Sequence, residues 1–203
     1  MTETEIKLQW DGTSGEAQAL IESKGYGLSE PRTLEDDQLF DLRSGGLRQS
    51  DQILRLRRTF SPQRDLHAVV TYKGPAKREV YKSREEIEFD VSDPDAFTLV
   101  LDRLGYYPGF RYEKYRTKFT RSSEPGIITL DETPIGVYLE LEGPQYWIDS
   151  TAARLGFPVA RFLNISYAAL YRKHREQHPD APANMIFDLK DLKNPEENHL
   201  SSP

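Results

Sequence analysis

The side chains in this chain that could do chemistry come in short runs spaced two residues apart. Glu3, Glu5 and Lys7 share one parity near the start, with Ile6 and Leu8 on the other. Ile53, Arg55 and Arg57 alternate with Leu54 and Leu56, and Thr71 and Lys73 oppose Val70 and Tyr72. Arg84, Glu86 and Glu88 oppose Ile87, Phe89 and Val91; Lys114 and Arg116 share a face; Tyr138, Glu140 and Glu142 oppose Val137, Leu139 and Leu141. A pleated strand sends successive side chains to opposite sides, so each run reads as a strand with one charged and one apolar face. Taken singly, such a face is ordinarily just solvated. Taken together, glutamates and arginines recurring in close register suit a sheet closed with its charged face inward, where acids and bases neutralise one another. Carboxylates there could hold hard Mg²⁺ or Mn²⁺, and arginine forks and lysine ammoniums could grip phosphate oxygens. No nucleophilic side chain is evident. Phosphoryl transfer needs none, because positioning and charge neutralisation carry it.

The elements that must position these groups are about eight strands interrupted by a few helices. Strands are expected over 3–8, 38–42, 52–59, 66–73, 80–91, 110–120, 126–131 and 136–142, punctuated by Gly45-Gly46 and Gly74-Pro75. Thr13 and Glu16 have capping-box spacing for a helix running to about Ser23, with Gly25 as its stop. Asp93-Pro94 opens a second helix to Leu104, and Asp149 or Ser150 is read as the cap of a third that ends before Gly156. A fourth is expected from Asn164 to about Gln177, stopped by Pro179. The many strands point to a closed barrel rather than a βαβ sheet. A net charge of −6 argues against generic nucleic-acid binding, and the absence of cysteine excludes disulfides, thiol nucleophiles and thiolate metal sites. No apolar run approaches membrane-spanning length and no signal-peptide core is evident, so a cytoplasmic protein is expected. His174 and His178 lie four apart on the fourth helix without an acidic third ligand and count as incidental.

Glu3-x-Glu5-x-Lys7 on an N-terminal strand resembles the ExExK signature of the CYTH family. These are the triphosphate tunnel metalloenzymes, which include class IV adenylate cyclases and thiamine triphosphatases. Other segments resemble the family's motifs in the same order: Phe40-Asp41, Leu54-Arg55-Leu56-Arg57, Lys73-Gly74-Pro75, Arg84-Glu85-Glu86-Ile87-Glu88, Lys114-Tyr115-Arg116, and Leu130-Asp131 with Gly136–Glu142. A looser likeness to the tail of cyclase-like members lies in 152–157 and Ser166-Tyr167. The resemblance implies an α+β fold, a closed antiparallel eight-stranded β-barrel with flanking helices. The tunnel domain would span 1–178, followed by a polar, flexible tail at 179–203.

By the same resemblance, Glu3, Glu5, Glu86, Glu88, Asp131, Glu140 and Glu142 would bind Mg²⁺ or Mn²⁺. Lys7, Arg55, Arg57, Lys73, Arg84, Lys114 and Arg116 would hold the triphosphate, and Glu5, Lys7 and Glu142 would form the catalytic centre. Asp131 has a second reading as a turn cap, and Tyr138 reads as filler of the lumen. The implied substrate is ATP, tripolyphosphate or thiamine triphosphate, with no nucleic-acid or membrane partner and with homodimerisation left open. The tail likeness tilts the expected activity toward class IV cyclase chemistry, ATP to cyclic AMP and pyrophosphate. The alternatives are an inorganic or thiamine triphosphatase that hydrolyses the terminal phosphate, and a non-catalytic polyphosphate or nucleotide sensor.

Overall fold

The structure, a computed structural model, describes residues 2–61, 64–78 and 80–188. Nine strands occur there: β1 (Thr2–Trp10), β2 (Gly27–Leu42), β3 (Ile53–Ser61), β4 (Arg64–Lys73), β5 (Lys77–Arg78), β6 (Lys82–Asp90), β7 (Tyr106–Thr120), β8 (Ile127–Thr133) and β9 (Gly136–Glu142). They form one antiparallel sheet in the order β1-β9-β8-β7-β2-β3-β4-β6, and pairing of β6 with β1 closes it into an eight-stranded barrel. The two-residue β5 hangs on β6. Closure gives each of the eight barrel strands a neighbour on both sides, which limits the aggregation liability of an open sheet.

Five helices flank the barrel: α1 (Ser14–Ser23), α2 (Gly46–Gln49), α3 (Pro94–Arg103), α4 (Gln145–Arg154) and α5 (Tyr167–Gln177). The expected starts of α1 and α3 hold. Thr13 and Glu16 form a reciprocal capping box, and Asp93 accepts from the amides of Asp95 and Ala96 ahead of Pro94. Gly105, at φ +87°, lets the chain leave α3 in the left-handed region that a side chain resists. The expected cap of α4 is corrected. The helix starts at Gln145 behind Pro144, and Asp149 and Ser150 lie on its exposed face in mid-helix. The stripe Trp147, Ile148, Thr151 and Ala152 is what the helix buries, so its start is set by packing rather than by a capping oxygen.

The apolar core lies outside the barrel wall. Outward-facing Ile6, Leu8, Leu139, Leu141, Ile128 and Phe119 pack against Ala17 and Ile21 of α1 and Trp147, Ile148 and Ala152 of α4. A second cluster sets Leu56, Ala68, Val70 and Phe40 against Leu101 and Phe97 of α3. A third joins inward-facing Tyr112 and Tyr138 to Tyr167 and Tyr171 of α5 and to Met185. Leu163, just before α5, exchanges both backbone hydrogen bonds with Lys7, and Met185 does so with β7, donating to Arg111 and accepting from Glu113. Of residues 179–203, read from sequence as a flexible tail, 179–188 are described and include the fully buried Met185; 189–203 lie outside the described residues.

Candidate functional site

Strand register carries the charged parities around the whole barrel. Lys7 stands opposite Glu140 and Glu5 opposite Glu142 in the β1–β9 pairing; Thr129 faces Glu140 and Asp131 faces Tyr138 across β8–β9. Arg116 is opposite Asp131, and Glu35 and Asp37 are opposite Lys114 and Tyr112. Asp37 is then opposite Arg57, Arg55 opposite Thr71, and Thr71 and Lys73 opposite Glu88 and Glu86. Glu5 opposite Lys82 closes the circuit. Directly opposed residues point to the same side of a sheet, so the circuit is one continuous inner face.

That face encloses a cavity of about 390 Å³. Among the described residues lining it are Glu5, Lys7, Arg55, Arg57, Lys73, Glu86, Glu88, Lys114, Arg116, Glu140 and Glu142, all singled out from the sequence. Ser166, Tyr167 and Ala168 at the start of α5 line it too. Arg84 is buried on the same face of β6 but is not among the described lining residues, and neither is Asp131. Glu3 is opposite Arg84 in the β1–β6 register, and its side chain lies outside the described part.

The lumen balances its own charge. Lys7 and Arg116 both pair with Glu140, and Lys82 pairs with Glu5. Lys73 Nζ donates to Glu86 at 2.9 Å, and Arg55 Nη2 donates to Thr71 at 2.8 Å. Three acids that do not line the cavity hold four of the cations that do, Arg55, Arg57, Lys114 and Arg116. Asp37, with no exposed surface, accepts from Arg57 Nε at 2.8 Å and sits 3.4 Å from Arg55 Nε. Glu35 accepts from Arg57 Nη1 at 2.9 Å and lies 3.3 Å from Lys114 Nζ. Asp131 accepts from Lys114 Nζ at 3.0 Å, Arg116 Nε at 2.6 Å and the Tyr167 hydroxyl at 2.6 Å.

Proton affinities follow from this crowding. Burial is the largest influence on Glu5 and pushes its carboxyl up, but Lys82, Lys7 and Lys73 together outweigh it and bring the group down to about 2. Glu35 is likewise lifted by burial yet lowered to about 2 by Arg57, Lys114 and Arg116. For Lys82 and Lys114 burial prevails and lowers both ammoniums, helped by neighbouring cations. The acids of a pair drop while these lysines do not rise because each carboxylate is shared among several cations. Burial, with Asp131 and Glu140 close by, pushes the Tyr167 phenol well above its ordinary range. Its hydroxyl is the donor in the hydrogen bond to Asp131.

Among the described residues no three His, Asp or Glu side chains are gathered as a ready-made metal cage. The donor set nevertheless fits a hard divalent cation: Glu5, Glu140 and Glu142 stand on adjacent strands in neighbouring register, with oxygen donors alone. Mg²⁺ in particular is commonly held by one or two carboxylates plus substrate phosphate rather than by an all-protein cage.

Sequence reasoning passed over Lys82, Lys118, Thr129, Glu35 and Asp37, and it gave Tyr167 no place in the lumen. Lys82 and Lys118 continue the parities of Arg84 and Arg116 by one further step, so alternation alone could have found them. Thr129 likewise shares the parity of Asp131. Glu35 and Asp37 were hidden because Asp36, between them, pairs with Arg111 on the outer wall, which leaves both faces of β2 charged. Tyr167 was noticed in sequence, but it reaches the lumen from a helix and no strand periodicity announces its role.

Comparison with known proteins agrees with the geometry. The model of the CYTH domain family matches residues 1–166. A Methanocaldococcus jannaschii protein named "putative adenylate cyclase" is 28% identical over 142 residues, covering 70% of this chain and 77% of its own. A Pyrococcus horikoshii protein structure superposes with a TM-score of 0.73 at 24% identity, over 85% of this chain and 99% of that one. A Hippeastrum structure described as a "putative adenylyl cyclase" with "a dominant" triphosphatase activity superposes with a TM-score of 0.61 at 17% identity, over 85% and 96% of the two chains.

Proposed function

This chain belongs to the CYTH domain family, and we propose that it is a divalent-metal-dependent enzyme that takes ATP into its tunnel and cyclises it to cyclic AMP and pyrophosphate. The observation that carries the triphosphate reading is the lining itself. Among its described residues, eight are lysine or arginine and five are glutamate, and Glu35, Asp37 and Asp131 behind the lining supply the three remaining negative charges. A divalent cation that took up the lining glutamates would leave their lysine and arginine partners facing the lumen, and the oxygens of a triphosphate match those donors.

In this reading Arg55, Arg57, Lys73, Lys114, Arg116 and Lys7 grip phosphate oxygens, and Glu35, Asp37 and Asp131 hold Arg55, Arg57, Lys114 and Arg116 in place. Glu5, Glu140 and Glu142 would hold the metal, with Glu86 and Glu88 farther along the neighbouring strand β6. A cation there supplies charge neutralisation at the phosphate oxygens. The chain's own part is to fix the triphosphate so that the ribose 3′-oxygen can displace pyrophosphate from the α-phosphorus in line, the hydroxyl proton being lost. Cyclase chemistry over hydrolysis is supported by the archaeal relative's name and by the tail likeness around Ser166-Tyr167.

A second reading is hydrolysis of the terminal phosphate of tripolyphosphate or another triphosphate. It is favoured by a lining whose named contacts address groups common to every triphosphate. Incubating the pure protein with Mg²⁺ or Mn²⁺ and ATP, tripolyphosphate or thiamine triphosphate, then resolving products by ³¹P NMR and chromatography, tests both. Cyclic AMP with pyrophosphate supports the first reading. Orthophosphate alone supports the second, and tight binding without any product makes the tunnel a sensor.

A further inference from the structure

We propose that Lys82 is an exchangeable counter-ion: it neutralises Glu5 when the tunnel holds no metal, and it grips the triphosphate once a divalent cation has taken Glu5. This rests on the triphosphate reading above and adds a binding residue to it. Lys82 stands directly opposite Glu5 in the β1–β6 register, is almost wholly buried, lines the cavity, and donates from Nζ to Glu5 Oε1. On its other side Glu5 has Glu142 as its cross-strand neighbour on β9. Glu5 therefore lies between an ammonium and a second carboxylate, so a cation drawn to both carboxylates meets the Lys82 ammonium at close range and weakens its pairing with Glu5.

A divalent cation drawn to Glu5 and Glu142 competes with the Lys82 ammonium for the same carboxylate. The displaced ammonium stays on a strand inside the lumen, where an unpartnered charge is strongly disfavoured. An incoming phosphate oxygen restores its partner. Metal and triphosphate thus depend on Lys82 with opposite sign. The ammonium opposes metal binding in the empty tunnel and favours the triphosphate in the metal-loaded one. A lysine that only props the wall would, on removal, weaken both.

The test uses the full chain as wild type, Lys82→Met and Lys82→Arg. Mn²⁺ alone is titrated by following free Mn²⁺ in the EPR spectrum, and tripolyphosphate is titrated calorimetrically at saturating Mn²⁺. Lys82→Met is expected to bind Mn²⁺ about tenfold more tightly and tripolyphosphate about tenfold more weakly, the scale of one charge-assisted contact. Lys82→Arg restores tripolyphosphate binding. Loss of both affinities, or no change in either, overturns the proposal. If Lys82→Met does not fold, as read by circular dichroism, Lys82→Gln is held to the same opposite-sign criterion. A wild-type tunnel that binds no tripolyphosphate defeats the functional reading and this inference with it. Wild-type binding that the substitutions leave untouched defeats this inference alone.

Discussion

Replacing Asp131 by asparagine separates two roles for that residue. The carboxylate has no exposed surface, and both its oxygens are in use, towards Lys114 at 3.0 Å, Arg116 at 2.6 Å and Tyr167 at 2.6 Å. Asparagine keeps the shape but offers one acceptor and turns an amide donor toward the remaining cations. Removing one partner of a buried ion pair costs about 3–5 kcal/mol, because the other charge is left uncompensated. For a domain of this size that lowers Tm by roughly 6–20 °C. The effect should shrink when tripolyphosphate is present, since the ligand supplies negative charge near Lys114 and Arg116. Urea unfolding without divalent cations, repeated with saturating tripolyphosphate, measures both quantities, and Mn²⁺ titration of the folded variant should be little changed. A variant within about 1 kcal/mol of wild type that has lost Mn²⁺ binding would make Asp131 a metal ligand and refute the positioning role.

Lys73→Ala should lower kcat/KM for ATP and for tripolyphosphate alike, by about ten- to a hundredfold, because its ammonium addresses oxygens both substrates share; a loss confined to ATP would show that it reads the nucleoside. Glu5 and Glu35 lie near 2 in the folded chain against an ordinary 4.5, so the stability they confer is complete above about 4.5 and drains as the pH falls toward 2. The urea midpoint should accordingly be flat near neutrality and drop steeply across that window, and a flat acid limb would contradict the pairing described. Gly126→Ala would bring a Cβ to 2.2 Å from the Trp147 ring, so unfolding should become easier by about 1–3 kcal/mol, read from the same urea curves; an unchanged midpoint would mean that α4 is not seated on the β8 end as described.

How much of this was legible in the sequence depended on whether a residue's two faces differed. In β1, β3, β6 and β9 an apolar outer wall alternates with a charged inner one, so parity put Glu5, Lys7, Arg55, Arg57, Glu86, Glu88, Glu140 and Glu142 on the charged faces, and the recurrence of those faces with the family resemblance turned them inward. In β2 the signal failed where Leu34-Glu35-Asp36-Asp37-Gln38 carries charge on both sides, and the strand was read as starting at 38 although it begins at Gly27. The start of α4 was misplaced for a related reason: a surface Asp-Ser pair mimics a cap, and only the buried Trp147-Ile148 stripe reveals that the helix is already under way. Residues that reach the lumen from outside the sheet, above all Tyr167, depend on the packing of α5 against Tyr112 and Tyr138. Such long-range contacts leave no local period to read.

The placement of Glu35, Asp37 and Asp131 explains why the tunnel can carry so many arginines without collapsing onto its own glutamates. A guanidinium on a long side chain loses conformational freedom when it grips a ligand, and that loss subtracts from affinity. Here Arg57 is already fixed by Asp37 and Glu35, and Arg116 by Asp131, with donors left over to face the cavity. The ordering is thereby completed during folding, before substrate arrives, and the donors are preorganised for charge that develops on phosphate oxygens. The lining glutamates serve as provisional counter-ions that metal and triphosphate displace together, whereas the three acids behind the cations stay in place. On this division of labour, neutralising Glu140 should chiefly alter metal binding, and neutralising Asp37 should chiefly loosen the phosphate grip. The two substitutions remove the same formal charge within one lumen, so a difference between them would come from which tier each acid occupies.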